Sequence, residues 1–207
     1  MSPTLTKFRK LNPTEIMIEN SNREFKIFII CYWLTLEFKN KVSEEQIKEA
    51  LRILSRNMAT LNMCLRKDNG HYWFCKMDEE KIPLHLMRRL SNGSCVIFPL
   101  FFYLALIKSL TSFVSLNQSP ESVFEKEANT CIDSATGPLW CITYITSDET
   151  LKENNTFTGN ILFTFHHAII DGYTAINICN SFLKALNDVI GENVQKIYDF
   201  GQFNGWT

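Results

Sequence analysis

The residues best suited to chemistry lie in His166-His167-Ala168-Ile169-Ile170-Asp171-Gly172, directly after the apolar run Ile161-Leu162-Phe163-Thr164-Phe165. Such a run reads as a buried strand, and the Asp-Gly pair as the start of a helix. A neutral histidine held at a strand end can serve as a general base near neutral pH. His167 and Asp171 are four apart, a spacing that lets the turn curl until the carboxylate approaches the imidazole or its backbone. Gly172 suits a tight helix start where a side chain would block approach. The chain has no Gly-x-Ser-x-Gly elbow, and Cys179 lies one or two turns into the following helix. Direct base catalysis on a bound acceptor therefore fits better than a covalent enzyme intermediate. Two other readings compete on these residues alone. Metal binding is disfavoured, because adjacent strand residues point to opposite faces and His-Glu-x-x-His is absent. The plainer alternative, in which both histidines only cap a buried strand through hydrogen bonds, stays open.

The pattern along the chain predicts what must position this stretch. Residues 1–24 are polar, contain Pro3 and Pro13, and read as an irregular lead-in. Residues 25–38 are rich in β-branched and aromatic side chains and predict a long strand. Ser43-Glu44-Glu45-Gln46 fits a capping box, and Ile47, Ala50, Leu51, Leu54 and Met58 follow at helical spacing over about 44–58. Asn69-Gly70 between residues 61–67 and 71–77 predicts a hairpin. Ser119-Pro120-Glu121 opens a helix to about Asn129, and the turn cluster 133–138 leads into a strand over 139–146. Residues 147–159 read as a polar loop, 160–165 as the central strand, 173–190 as an amphipathic helix, and 191–207 as frayed. Strands and helices intermix without strict alternation. This predicts an α+β two-layer sandwich, a mixed sheet with helices packed on it.

At 207 residues the chain can form one substantial lobe, taken as a single domain over 1–207. A net charge of −1 without a basic cluster argues against nucleic acid as a partner. Seven scattered cysteines, without a Cys-x-x-Cys pair, read as reduced thiols in a cytoplasmic protein rather than as zinc ligands or disulfides. The segment 91–118 differs from its surroundings: it carries one charge, Lys108, and is almost wholly apolar from Cys95 to Ile107. A packed helix, an inserted segment (including a gene-model error) and a membrane contact through 95–116 are the three readings of it.

The stretch His166-His167-x-x-x-Asp171-Gly172 resembles the H-H-x-x-x-D-G signature of the chloramphenicol-acetyltransferase-like superfamily, which includes condensation domains of peptide synthetases and alcohol O-acetyltransferases. Gly137-Pro138-Leu139-Trp140 is similar to the strand start upstream of that signature, and Arg9-Lys10-Leu11 with Glu15 resembles the opening of alcohol acetyltransferase-like members. The resemblance implies one lobe of that fold, the N-terminal one, with 91–118 as an insertion. It implies an acyltransferase moving an acyl group from a CoA or carrier thioester to a small-molecule hydroxyl or amine acceptor. His167 would be the general base, His166 a supporting residue, Asp171 a structural residue usually paired with an arginine, and Gly172 a space for substrate. Acyl-CoA would be a co-substrate rather than a bound cofactor, and no metal is implied. The chain is about half the family's usual length, so a second lobe or self-association would complete the site. The alternative is a truncated, non-catalytic fragment acting as a binding module.

Overall fold

The computed structural model describes residues 6–89, 95–98, 120–151, 156–194, 198 and 200. Its frame is a five-stranded mixed sheet in the order β2 (Ile29–Phe38), β8 (Thr156–His166), β7 (Trp140–Leu151), β5 (Leu84–Arg89) and β6 (Cys95–Phe98). Only β5 and β7 run parallel; the other neighbours are antiparallel. A smaller antiparallel sheet joins β1 (Lys7–Lys10), β4 (His71–Lys76) and β3 (Met63–Asp68). The mixed sheet with packed helices matches the sequence expectation.

Strand β8 lies inside the larger sheet, between β2 and β7, and is buried without interruption from Ile161 to His166. An alternating pattern is absent because both of its faces are covered. On one side Phe163 and Phe165 pack with Phe182 of α4 (Gly172–Ile190), and α2 (Glu44–Asn57) packs against α4. On the other, Leu162, Ile145 and Met87 meet Val123 and Phe124 of α3 (Pro120–Ala128), with Trp33 alongside.

The local signals explain these elements. The Ser43–Gln46 capping box opens α2 as expected, each side chain bonding the other's backbone amide. Asn69 and Gly70 both take positive φ, as the tight turn between β3 and β4 requires. Gly137 takes φ +59°, and a Cβ there would lie 2.7 Å from Met77 Sδ and 2.9 Å from Cys64 Cβ. The glycine of Gly137-Pro138-Leu139-Trp140 therefore lets this turn press onto β3, where Leu65 N–H bonds Ser134 O. Trp140, fully buried, donates its indole N–H to Leu61 O at 2.7 Å.

Three expectations are corrected. Residues 13–25 are not irregular but form α1 (Pro13–Phe25), opened by a capping box between Asn12 and Glu15 with Pro13 in its first turn. Residues 147–151 and 156–159 are strand rather than loop: β7 runs on to Leu151 and β8 begins at Thr156, with pairing resumed at Thr150↔Phe157 after a register shift. Backbone pairing extends this hairpin even though its sequence is polar. The strand expected from Phe25 starts at Ile29, because Phe25 ends α1 and Lys26 and Phe28 both have positive φ. Most of the stretch 191–207, expected to be frayed, lies outside the described residues; within it Tyr198 is buried and its ring lies tilted against Phe200, 5.3 Å between centroids. Most of 91–118 lies outside the described residues; within it, Cys95–Phe98 forms edge strand β6. Among the described residues no helix is long and apolar enough to cross a membrane.

Candidate functional site

Strand β8 ends in His166, a turn follows, and α4 starts at Gly172, so the histidine pair stands at a strand-to-helix junction. His166 N–H bonds Leu139 O, His167 N–H bonds Phe28 O at 3.0 Å, and Ile169 N–H returns to His166 O. The turn is thereby tied to the segments before β7 and β2. Phe28 holds φ +65°, a conformation an aromatic residue adopts at a cost of about 1–3 kcal/mol. Its carbonyl takes the His167 amide, and its ring meets the His167 ring edge-on at 6.3 Å.

The two imidazoles face different surroundings, as adjacent residues at a strand end should. His166 is fully buried, whereas His167 is half-buried. His167 Nδ1 lies 2.8 Å from Ile170 O. A carbonyl oxygen only accepts, so Nδ1 carries a proton and donates, and in the neutral imidazole the lone pair is then on Nε2. A base needs such an atom. His166 has the opposite arrangement: its Nδ1 accepts from Ala168 N–H at 3.1 Å, which assigns the proton to Nε2.

His166 Nε2 lies 3.0 Å from Oε2 of Glu19, a carboxylate as fully buried as the imidazole. Glu19 comes from α1. Its Oε1 accepts from Ser134 Oγ at 2.6 Å and from Arg23 Nε, and Arg23 also donates to Ser134 Oγ at 3.1 Å. Burial, the largest influence, pushes the Glu19 carboxyl up. The donors His166, Ser134 and Arg23 together outweigh it and hold the group below its ordinary value. Sequence reading missed Glu19, Arg23, Ser134 and Phe28. The Asn12-Pro13-Thr14-Glu15 capping pattern was a signal for α1, but no local pattern marks a glutamate facing a histidine so distant in sequence.

Asp171 does not bond the imidazole. It is the N-cap of α4, its Oδ1 accepting Thr174 N–H at 2.7 Å. That amide hydrogen bond is the main cause of its lowered pKa, with a smaller contribution from the charge interaction with His167. Among the described residues no arginine ion pair with Asp171 occurs. Asp171→Ala should cost about 1 kcal/mol through the lost cap. Because the folded carboxyl titrates below its unfolded value of about 3.9, this contribution is present above that pH and is lost as pH falls through the folded pKa. Thermal melts of both chains at neutral pH and near pH 3 should show the difference narrowing in acid.

Gly172 is exposed, and a Cβ there would meet only Tyr32 Oη, at an ordinary 3.5 Å. The backbone at this point does not require glycine, contrary to the tight-turn argument. Tyr32 Oη donates to Gly172 O at 3.0 Å and fastens the start of α4 to β2. Cys179 is buried, its thiol pushed up to about 12 by desolvation, which leaves no thiolate in α4. Apolar side chains stay exposed on both segments bordering His167: Phe25, Ile27 and Phe28 before β2, and Tyr173 and Ile176 in the first turns of α4. Among the described residues no three His, Cys, Asp or Glu side chains gather as metal ligands.

No protein-family model and no curated protein sequence matches this chain. Solved structures do. The starter condensation domain of rhizomide synthetase RzmA superposes with a TM-score of 0.63 at 13% identity, over 96% of this chain and 41% of that one. The epimerization domain of the third module of tyrocidine synthetase B gives 0.63 at 12% identity, over 98% of this chain and 40% of that one. A four-domain nonribosomal peptide synthetase bound to AMP and glycine gives 0.61 at 12% identity, over 89% of this chain and 12% of that one. The chain thus has a condensation-domain-like fold, one lobe of it, and spans about two fifths of the single-domain neighbours' length.

Proposed function

With a condensation-domain-like lobe as the premise, we propose that this chain is the base-bearing lobe of an acyltransferase, with His167 as general base. The observation that carries the reading is the His167 ring itself. Its Nδ1 proton is committed to Ile170 O, which leaves Nε2 for the acceptor, on a half-buried side chain.

In the reaction, an acceptor hydroxyl or amine attacks the carbonyl carbon of an acyl thioester while His167 Nε2 removes the acceptor's proton. The tetrahedral intermediate then expels the thiolate, and the imidazolium returns the proton to that sulfur. The products are an ester or amide and a free thiol. Structures of the rhizomide synthetase starter domain contain C8-CoA, and one contains C8-CoA with Leu-SNAC, which supports thioesters as the donor class. The exposed Phe25, Ile27, Phe28, Tyr173 and Ile176 suit an apolar acyl chain or the second lobe that would complete the site. Asp171 keeps the start of α4 in place, and the six free thiols among the described cysteines suit a cytoplasmic setting.

The experiment is product analysis by mass spectrometry after incubating the full chain with octanoyl-CoA and a panel of alcohols and amines. An acylated acceptor, formed together with free CoA, is expected. Octanoyl-CoA hydrolysed no faster than in buffer, with no acylated product from any acceptor, contradicts the reading.

A further inference from the structure

The buried Glu19–His166 pair does something the proton transfer at His167 does not itself require. Glu19 and His166 are wholly inaccessible to solvent and 147 positions apart in the sequence, and their facing atoms, Oε2 and Nε2, lie 3.0 Å apart while neither makes a hydrogen bond to any other group. A carboxylate is costly to bury unless it is paired and hydrogen-bonded. Here Oε1 takes Ser134 Oγ and Arg23, and Oε2 faces the imidazole. The partly exposed Arg23 brings the compensating charge, so the imidazole can remain neutral.

A neutral imidazole has one donor and one acceptor nitrogen. An ionised carboxylate beside Nε2 favours the tautomer that carries its proton there, as second-sphere carboxylates do for metal-bound histidines. Nδ1 is then the acceptor, and it takes the Ala168 amide. That bond closes the turn whose next residues are Ile169 and Ile170. Ile170 supplies the carbonyl that fixes the His167 ring. The opposite tautomer at His166 would set an N–H against the Ala168 N–H and a lone pair against the carboxylate. Both contacts would be repulsive.

We infer that Glu19 is the positioning residue of the histidine pair: its buried carboxylate holds His166 as the Nε2–H tautomer, and this sets the turn that presents His167 as the Nδ1–H tautomer with Nε2 free. Ser134 and Arg23 hold Glu19 in turn, so α1 and the turn before β7 both act on the base without touching substrate. The inference rests on the proposed role of His167 for its catalytic consequence, while the tautomer pattern stands independently of any activity.

The test is long-range ¹H–¹⁵N correlation on the full chain labelled at histidine, beside acyl-transfer kinetics. In the native chain, His166 should give a slowly exchanging Nε2–H signal and His167 an Nδ1–H signal. In Glu19→Gln the His166 signal should collapse to a tautomer mixture, and His167 should lose its fixed Nδ1–H signature. The kcat should fall at least tenfold with KM changed less than threefold. If Glu19→Gln does not fold, Ser134→Ala removes one of the carboxylate's donors without touching either histidine. It should speed exchange of the His166 N–H at least tenfold. Unchanged histidine signals in a folded Glu19→Gln chain, or unchanged exchange in Ser134→Ala, overturn the inference. A His167→Ala chain that stays active would instead remove the base while leaving the tautomer result to stand for Glu19.

Discussion

Phe163→Ala should destabilise the protein by about 3–5 kcal/mol, the cost of deleting a buried aromatic that its surroundings cannot refill. Phe163 is wholly buried at the centre of β8, its ring stacked on Phe165 at 5.9 Å and edge-on to Phe182 at 5.2 Å. It pairs in register with Tyr32 on β2 and Ile142 on β7, so all the strands around the histidine pair are anchored near it. The three rings come from a strand and from α4, and neither can close over the void without shifting the junction that carries His167. For a chain of this size each kcal/mol moves the melting temperature by about 2–4 °C, so a fall of about 10 °C is expected. Phe163→Leu should recover most of it, because leucine refills much of the volume. A melt within about 2 °C of the native one in Phe163→Ala would show that this cluster does not anchor the sheet.

Much of this frame is readable from the residues. The strand ending in His166, the helix after Asp171, the Asn69-Gly70 hairpin and the Ser43 capping box each have a strong local cause, in burial, turn chemistry or capping. What escaped reading was held by distant or backbone contacts. Helix α1 buries Ile18 beside the polar Glu19 and Asn22, so it lacks the apolar stripe that marks a helix. Its polar face meets Ile132 O, Ser134 and His166, which the sequence places more than a hundred residues away. The outer ends of β7 and β8 pair through backbone hydrogen bonds that any side chains allow. The position of His167 was legible, but its tautomer was not. That depends on Ile170 O lying beside Nδ1, a detail of the turn alone.

The second large effect concerns chemistry rather than stability. His167→Ala removes a half-buried ring that bonds Ile170 O and meets Phe28 edge-on. The backbone bond from residue 167 to Phe28 O survives the substitution, so the melting temperature should change little. Acyl transfer should fall by roughly 10²–10⁴-fold, the usual contribution of a positioned general base. His166→Ala would confuse the comparison, because it leaves the Glu19 carboxylate buried without its imidazole.

The central claim is that Nε2 of His167 takes the acceptor's proton. It is tested most directly by the single-turnover rate of thiol release from octanoyl-CoA, measured with saturating acceptor on the native chain and on folded His167→Ala. A fall of at least about a hundredfold, at unchanged octanoyl-CoA affinity, is the predicted result. Equal rates in the two chains would contradict it and return the histidine pair to the role of a capped strand end.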